Sequence, residues 1–291
     1  MSISARPLHG KDFFGQVAGI DFTRALDAAT ARTIIELNDR FGVLVFRATG
    51  LDDDGHVALS RLLGPLEMAP ALFAKEEDNR RRLKLPELFE AGNLDADGNI
   101  QRVDDRFRMF ARGNRLWHTD SSFYQKRSKY SLLLAHMVPP AGADTEFADM
   151  RAAYDALPQA TKDTIADLVC EHDVWYSREL AGFPDALPEE RNKRAPARHK
   201  LVQVHPGSGR KTLLLASHAS RIVGWPVEEG RVLLRELMLF ATEARFVHRH
   251  AWGKGDLVMW DNRCTMHRAT PFDDMAQKRD MRRTTVIEDA A

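Results

Sequence analysis

Apolar runs of strand length lie on both sides of a mainly helical stretch, and this arrangement limits the folds that the chain can adopt. The runs at residues 42–46 and 131–138 precede it, and those at residues 256–262 and 282–289 follow it. No regular strand–helix alternation with a glycine-rich phosphate loop is present, which argues against a nucleotide-binding parallel sheet. The pattern instead predicts a mainly β protein, with a double-sheet core and helices packed outside it.

Three segments show the apolar spacing of helices. Residues 29–41 form the first, and residues 52–64 form the second, which has an acidic first turn. The clearest is residues 226–244, which begins with Pro226 and carries two glutamates in its first turn. Proline and acidic residues favour helix N-termini, so we expect a helix to start there.

The whole chain is expected to form one catalytic domain with two additions. A helical insertion is predicted at about residues 149–198. Between about residues 68 and 113 the periodicity fails, and charged residues alternate with turn-forming ones. A long irregular segment inside a compact domain is typically functional or mobile, so this segment is predicted to be lid-like.

The charge and cysteine content exclude several classes of partner. The chain has 42 Lys+Arg and 42 Asp+Glu residues, so its formal net charge of zero predicts no nucleic-acid or acidic-lipid partner. The N-terminus lacks the apolar core of a secretion signal, and the apolar runs are too short to span a membrane. Cys170 and Cys264 form no CxxC pair. A reduced protein in the cytoplasm is therefore the simplest expectation.

The stretch LWHTDSSF, at residues 116–123, places His118 two residues before Asp120. On a β-strand these side chains would face the same side and converge on a metal, a proton relay or a hydrogen bond. Two histidines and one carboxylate form a facial triad that leaves three positions of Fe(II) open for oxygen chemistry. His267, in a strand-like run far along the chain, is the candidate third ligand.

A second histidine pair, His248-x-His250, offers an alternative metal site of the small-barrel (cupin) kind. That pattern normally continues with a nearby glutamate, whereas here only Asp256 follows. We therefore favour two histidines that are packed or solvated on a strand over a metal site.

Four stretches together carry a family resemblance: LWHTDSSF, GADTEFADMRAAYDALP, HPGSGRKTLLL and GDLVMWDNRCTMHRA…QKRDMRRTT. They resemble the Fe(II)/2-oxoglutarate-dependent oxygenases of the taurine and 2,4-dichlorophenoxyacetate dioxygenase family, and the 2,4-dichlorophenoxyacetate branch most. The resemblance covers nearly the whole chain and is weakest at residues 68–113. It implies a double-stranded β-helix, or jelly roll, with His118, Asp120 and His267 as Fe(II) ligands and with 2-oxoglutarate and O2 as cosubstrates.

The resemblance also assigns the other site residues. It gives the distal carboxylate of 2-oxoglutarate to Thr145 and Arg279, and the anionic group of the substrate to Arg283. Asn114 and Lys75 are further candidate substrate contacts. Arginine suits both acids, because its planar fork meets two carboxylate oxygens.

The spacing of the C-terminal arginines adds a geometric expectation. Arg279 and Arg283 are four residues apart, so on an extended strand both side chains face one side. Arg282 would then face the other side.

The function implied is hydroxylation of a small organic acid. An aryloxyacetate such as 2,4-dichlorophenoxyacetate is expected, with ether cleavage to a phenol and glyoxylate. A taurine or other sulfonate dioxygenase is the alternative within the family. Two other classes stay open from the residues alone: a zinc-dependent hydrolase that uses the same three ligands, and a non-catalytic jelly-roll binding protein. A homo-oligomer is possible under each.

Overall fold

The computed structural model describes residues 2–183 and 186–288. Its strands are β1 (Ser4–Leu8), β2 (Lys11–Ala18), β3 (Val43–Phe46), β4 (Phe89–Glu90), β5 (Ser128–Met137), β6 (Thr145–Asp149), β7 (Val169–His172), β8 (Ala197–Lys200), β9 (Val202–Val204), β10 (Lys211–Leu213), β11 (Ala219–Ile222), β12 (Val247–His250), β13 (Leu257–Asp261), β14 (Thr265–Ala269) and β15 (Asp280–Ile287). Its α-helices are α1 (Ala28–Phe41), α2 (Asp53–Leu63), α3 (Arg106–Ala111), α4 (Met150–Ala156), α5 (Gln159–Ile165), α6 (Val174–Leu180), α7 (Pro188–Asn192) and α8 (Val227–Ala241).

Two sheets form the centre of the molecule. The larger has the order β1-β2-β3-β13-β5-β15-β4, and the smaller has the order β12-β6-β14. The strands pair antiparallel except for β2 and β3, which pair parallel. Two further sheets, β11-β7-β8 and β10-β9, lie outside this pair.

The larger sheet is buried on both faces, and β13 shows how its sequence achieves this. Leu257 and Met259 pack in the core that contains residues of α1 and α2. Val258 and Trp260, which alternate with them, pack in a second core with Phe147 of the smaller sheet. Because alternate residues of a strand face opposite sides, one continuous apolar strand serves both cores.

The helices begin and end at residues with clear capping roles. The Asp27 side chain accepts a hydrogen bond from the Thr30 backbone at the start of α1, and Asp52 accepts one from Gly55 in α2. Helix α1 ends at Gly42, whose φ of 90° suits glycine. The Arg151 guanidinium, from α4, donates to the carbonyl oxygens of Asp39 and Phe41 and so satisfies the exposed end of α1.

The sequence patterns predicted this architecture well, with two corrections. The double-sheet core and the three main helices are confirmed, with α8 starting directly after Pro226. The stretch at residues 149–198 is not purely helical, because β7 and the start of β8 interrupt it. Residues 116–123 are also not a strand, as described below. Of the described helices, none has the length and apolar character needed to cross a lipid bilayer.

Candidate active site

His118, Asp120 and His267 converge in the structure. His118 and His267 form an isolated antiparallel bridge, in which the backbone N–H of each donates to the carbonyl oxygen of the other at 3.0 and 2.8 Å. Asp120 Oδ1 lies 3.8 Å from His118 Nε2, and Oδ2 lies 3.8 Å from His267 Nε2. One nitrogen or oxygen atom from each residue lies within 4.8 Å of the others. This spacing fits three ligands on one face of a metal ion.

The backbone that brings His118 and Asp120 together is not the predicted strand. His118 occupies only the bridge, and the chain turns directly after it. Ser121 adopts a φ of 54°, in the left-handed region that few non-glycine residues use. The His-x-Asp pair therefore converges through a bridge followed by a strained turn, and not through strand alternation.

Neighbouring polar groups fix the orientation of two of these side chains. His118 Nδ1 lies 2.8 Å from the Leu116 carbonyl oxygen, to which a protonated Nδ1 donates, leaving Nε2 free as a ligand. The Ser131 hydroxyl donates to Asp120 Oδ2 at 2.7 Å, and the Asn262 amide donates to Ser131 at 2.9 Å. Asn262 also accepts from the Asp120 backbone N–H at 3.0 Å. As expected for metal ligands, the rotamers are held by a second layer of hydrogen bonds.

The charge states of the three residues suit a divalent cation. Burial lowers the pKa of His118 to about 4 and lowers that of His267 well below its usual value, so both imidazoles are neutral at neutral pH. Burial would raise the pKa of Asp120, but Arg283, the two histidines and Ser131 lower it to about 2. Two neutral nitrogens and one carboxylate are the donor set of an Fe(II) facial triad.

A prediction follows from the Ser131 contact. Ser131→Ala removes the hydrogen bond that orients Asp120 Oδ2, and loss of such a contact typically costs 10- to 100-fold in metal affinity, so we expect a loss of at least about 10-fold. Competition between the protein and a chromophoric chelator for Fe(II) measures it. Ser60→Ala is the control, because Ser60 is also a buried serine but bonds to Thr284 in the larger sheet. Equal metal affinity in the Ser131 variant and wild type would contradict the role of Ser131.

The side chains of the alternative pair, His248 and His250, pack against other residues. The His248 ring lies 4.1 Å from that of Phe14 and 5.7 Å from that of His9, and His250 lies 3.6 Å from Asp256. Neither histidine belongs to a potential metal cluster within the described residues.

His205, Asp261 and Cys264 form a second cluster with metal-ligand spacing, but its carboxylate already bonds to other protein groups. The Asp261 carboxylate accepts hydrogen bonds from Arg263 and His205, which lie on opposite sides of it. We therefore interpret it as a structural ion pair.

A cavity of about 120 Å³ lies on one side of the triad and contains the predicted cosubstrate residues. His118, His267, Thr145 and Arg279 line it. Arg279 is buried, its Nη1 donates to the Ala91 carbonyl oxygen at 2.5 Å, and its Nε has no partner among the described residues. Burial lowers its pKa to about 10, so it stays protonated at neutral pH. An unpartnered buried guanidinium facing a cavity is a binding site for an anion.

Thr145 completes this end of the cavity. Its hydroxyl oxygen accepts a hydrogen bond from Trp252 Nε1 at 3.0 Å, so the hydroxyl proton is available for a second partner. Thr145 and Arg279 can therefore donate to the same carboxylate, opposite the metal ligands. The same cavity thus offers donors for a carboxylate and, in His118 and His267, two of the candidate metal ligands.

Comparison with known proteins decides the family. A sequence profile of the family described as "Taurine catabolism dioxygenase TauD, TfdA family" matches residues 4–285. The chain belongs to the TauD/TfdA family. Its fold is the one expected from the resemblance noted in the sequence, and its His-Asp-His site fits iron binding.

Individual relatives match most or all of the length of this TauD/TfdA protein. The alpha-ketoglutarate-dependent 2,4-dichlorophenoxyacetate dioxygenase of Cupriavidus pinatubonensis is 45% identical over 290 residues, which cover 100% of this chain and 99% of that protein. The (S)-phenoxypropionate/alpha-ketoglutarate-dioxygenase of Sphingobium herbicidovorans is 34% identical, and the match covers 86% of this chain and 84% of that protein. The solved structure of AAD-2 in complex with Mn(II) and N-oxalylglycine has a TM-score of 0.90 and 43% identity, and covers 100% of this chain and 98% of that one.

These relatives confirm the enzyme class. The TauD/TfdA protein is a 2-oxoglutarate-dependent dioxygenase with a jelly-roll core, whose His-Asp-His site fits Fe(II). N-oxalylglycine is an analogue of 2-oxoglutarate, and Mn(II) is a hard divalent ion of similar coordination to Fe(II). Neither the zinc hydrolase nor the non-catalytic binding protein finds support among them.

A second cavity, of about 270 Å³, lies on the other side of the triad. The two cavities share His118, Asn114 and Arg283, so they meet at the metal site. The lining of the second cavity combines charged and polar side chains with a group of large apolar ones: Pro70, Leu72, Phe89, Phe107, Phe110, Phe123, Tyr124 and Val174. Several come from residues 68–113, the segment predicted to be lid-like. The dioxygenase therefore has two adjoining cavities at the triad, and the second, which we call the aromatic cavity, has more aromatic side chains in its lining.

Two of the three predicted substrate contacts lie at this junction. Arg283 faces both cavities and contacts the Asp120 carboxylate, and Asn114 lies beside it in the lining. Arg282 points away and forms ion pairs with Asp53 and Asp280, which confirms the predicted alternation.

The prediction for Lys75 is corrected. Its side chain is 67% exposed and lies 4.0 Å from Glu77, and it lines neither cavity. The cause is local, because Lys75 immediately precedes a short 3-10 helix on the outer surface of the irregular segment.

Sequence reasoning missed several residues that line the aromatic cavity. Arg178 lies on α6 and His218 lies in a turn, and neither belongs to any of the quoted motifs. Glu67 accepts a hydrogen bond from Ser121 at 2.8 Å, and burial raises the pKa of its carboxyl group. Their identity and spacing carry no motif signal, so only the three-dimensional structure brings them together.

The contact between Thr145 and Trp252 leads to a second prediction. Thr145→Val removes one neutral hydrogen-bond donor, which typically contributes about 1 kcal/mol, so we expect the affinity for 2-oxoglutarate to fall about 5-fold. Titration of the anaerobic Fe(II) protein, followed by the metal-to-ligand absorption of the complex, measures it. Trp252→Phe breaks the same internal hydrogen bond but keeps the threonine hydroxyl, so its effect is expected to be smaller. A larger loss in Trp252→Phe than in Thr145→Val would contradict a direct role for the hydroxyl group.

Proposed function

We propose that this dioxygenase oxidises an aryloxyacetate, such as 2,4-dichlorophenoxyacetate, at the carbon between the carboxylate and the ether oxygen. Hydroxylation there gives a hemiacetal that collapses to a phenol and glyoxylate. One molecule each of O2 and 2-oxoglutarate is consumed, and succinate and carbon dioxide are released. The aromatic cavity next to the triad is the observation that carries the proposal.

Each site residue has a role in this reaction. His118, Asp120 and His267 hold Fe(II), and the bound metal with O2 and 2-oxoglutarate supplies the oxidising chemistry. Thr145 and Arg279 bind the distal carboxylate of 2-oxoglutarate. Arg283 and Asn114 face the acid group of the substrate at the junction of the two cavities.

The shape and polarity of the second cavity support an aromatic acid over a sulfonate such as taurine. Phe89, Phe107 and Phe123 would bury a flat apolar ring, and burial of about 100 Å² of apolar surface contributes about 2.5 kcal/mol. The ammonium group of taurine would lose its hydration against the same surfaces. The residues 68–113 would cover the ring and keep water away from the reacting carbon.

The cytoplasm is the compartment that suits this reaction. Cys170 and Cys264 are buried free thiols, and burial raises the pKa of Cys170 to about 12, which keeps it unreactive. Fe(II) and 2-oxoglutarate are both supplied by a reducing cytoplasm, which supports the proposal.

A competition experiment tests the substrate class. The Fe(II) protein is given 2-oxoglutarate, oxygen and equal concentrations of 2,4-dichlorophenoxyacetate and taurine, and the formation of phenol and sulfite is followed. We expect the phenol to predominate by about 70-fold, the ratio that corresponds to the burial difference of about 2.5 kcal/mol given above. Predominant sulfite would overturn the substrate class but leave the dioxygenase class intact.

A further inference from the structure

The aromatic cavity contains a buried arginine whose charge no other described residue neutralises. Arg178 lies on α6, and only 6% of its surface is exposed. Within residues 2–183 and 186–288 it forms no ion pair, and its Nε and Nη1 have no hydrogen-bond partner. Its one polar contact is a long hydrogen bond of 3.4 Å from Nη2 to Asn114 Oδ1.

The surroundings of Arg178 make this arrangement costly. Its guanidinium lies 4.3 Å from the ring centroid of Phe110, which belongs to an aromatic cluster with Trp175 and Phe183. Burial lowers its pKa to about 10, although Asp120 acts in the opposite direction, so the group stays charged at neutral pH. A buried cation without a hydrogen-bonded anion loses hydration that nothing restores.

The other two cations near the triad are committed elsewhere. Arg283 contacts the carboxylate of Asp120, and Arg279 lies in the cosubstrate cavity with Thr145. Arg194 also lines the aromatic cavity, but it donates to the carbonyl oxygens of Ala71 and Leu72. Arg178 and Arg283 both have buried donors in this cavity without a partner among the described residues, namely Nε and Nη1 of Arg178 and Nε of Arg283.

The position of Arg178 matches the chemistry of the proposed reaction. In an aryloxyacetate, the carbon to be oxidised is bonded directly to the carboxylate carbon. A cation that binds the carboxylate must therefore lie beside the metal ligands, with the aromatic walls farther away. Arg178 lines the cavity together with His118 and Asp120, while Phe89, Phe107 and Phe123 form other parts of the lining.

We infer that Arg178 binds the carboxylate of the substrate through the edge formed by its Nε and Nη2, beside Arg283, with Asn114 next to Nη2. This inference rests on the proposed function, since it names the group that recognises the substrate acid. Arg178 is a binding residue that shares the substrate carboxylate with Arg283.

Gly113 provides an independent way to move Arg178. A Cβ atom at Gly113 would lie 1.8 Å from Arg178 Nη1 and 2.5 Å from its Cζ, so any side chain there must displace the guanidinium. Gly113 does not have a positive φ, and the atoms in the way are the end of a flexible side chain. The Gly113→Ala variant should therefore fold normally. It should show the same loss of substrate binding as a substitution of Arg178, although Arg178 itself is unchanged.

The test measures binding without turnover. Protein loaded with Mn(II) and N-oxalylglycine is titrated by calorimetry with 2,4-dichlorophenoxyacetate and, separately, with its neutral primary amide. Losing a charge-assisted pair should lower the affinity for the acid roughly 10- to 100-fold in Arg178→Met and in Gly113→Ala. Binding of the amide should be weakened less than binding of the acid, because the amide has no negative charge to pair with the guanidinium. Arg178→Lys keeps the positive charge but loses the planar guanidinium, so its affinity for the acid should lie between those of Arg178→Met and wild type.

Controls separate the possible outcomes. Arg191→Met replaces an exposed arginine that pairs with Glu179 and lines neither cavity, and it should leave both affinities unchanged. The affinity for N-oxalylglycine should be unchanged in every variant. Equal weakening of acid and amide, or an unchanged acid affinity in Arg178→Met, would overturn the inference.

Failure of the proposed function would look different. Wild-type protein would then bind neither aryl compound but would still bind N-oxalylglycine, and taurine would replace the acid in the titration. A loss of taurine affinity in Arg178→Met would keep Arg178 as the binding residue for the substrate anion. An unchanged taurine affinity would reject that role as well.

Discussion

Asp120→Ala is expected to abolish Fe(II)-dependent turnover, with a fall of at least about 1,000-fold, or about 4 kcal/mol. The substitution removes the carboxylate that lies 3.8 Å from both histidine nitrogens, and with it the negative charge that a divalent cation needs. It also leaves the Arg283 guanidinium without its partner, next to the vacated position. Both effects act against metal binding. His118→Ala and His267→Ala should be similarly inactive.

Two controls make this prediction specific. Asp120→Asn keeps the size of the side chain and its contact with Ser131, yet it should still lose most of the metal affinity because it lacks the charge. His248→Ala removes a buried histidine of β12 that packs on Phe14, so it should retain metal binding and most of the activity. Fe(II) content after gel filtration and circular dichroism are measured beside activity. Near-normal activity in any of the three ligand variants would contradict the triad.

Arg279→Ala should raise the concentration of 2-oxoglutarate that is needed, by roughly 30-fold to several thousand-fold, which corresponds to about 2–5 kcal/mol. The reason is that a buried carboxylate of the cosubstrate would lose the cation opposite it. Arg279 has a free Nε in the structure, so no protein carboxylate must be displaced before the cosubstrate binds. Thr145 alone would then hold the distal carboxylate.

Arg282→Ala is the matched control for Arg279. It lies three residues farther along the chain, on the opposite face, and forms ion pairs with Asp53 and Asp280. Its loss should lower the free energy of unfolding by about 1 kcal/mol or less, the usual contribution of such ion pairs. Because Arg282 lines neither cavity, the 2-oxoglutarate requirement should stay within about 3-fold of wild type. An unchanged requirement in Arg279→Ala would move the cosubstrate role to a neighbouring arginine.

Much of the site could be predicted from sequence because its residues lie in strands with strong patterns. The motif GADTEFADMRAAYDALP contains β6, and Thr145 is the first residue of that strand. Strand alternation likewise separates Arg282 from Arg283 on β15 in the predicted way, whereas Arg279 lies just before that strand. In these cases a local period decides the direction of a side chain, so the sequence contains the required information.

The remaining features depend on contacts between distant parts of the chain. His118 and Asp120 were placed on a strand, but the left-handed φ of Ser121 belongs to a turn that no propensity rule assigns to serine. Arg178 lies on a short helix within the insertion, and its cavity forms only when α6 packs against Phe110 and Gly113. The prediction for Lys75 is wrong because the irregular segment has no hydrophobic periodicity from which the direction of a side chain could be derived.

The stoichiometry of a single reaction mixture tests the central claim most directly. Oxygen uptake, succinate and phenol are measured together while the Fe(II) protein acts on 2,4-dichlorophenoxyacetate in the presence of 2-oxoglutarate. The account predicts equal amounts of the three, and none of them when Zn(II) replaces Fe(II). Phenol release with Zn(II) or without oxygen would contradict it.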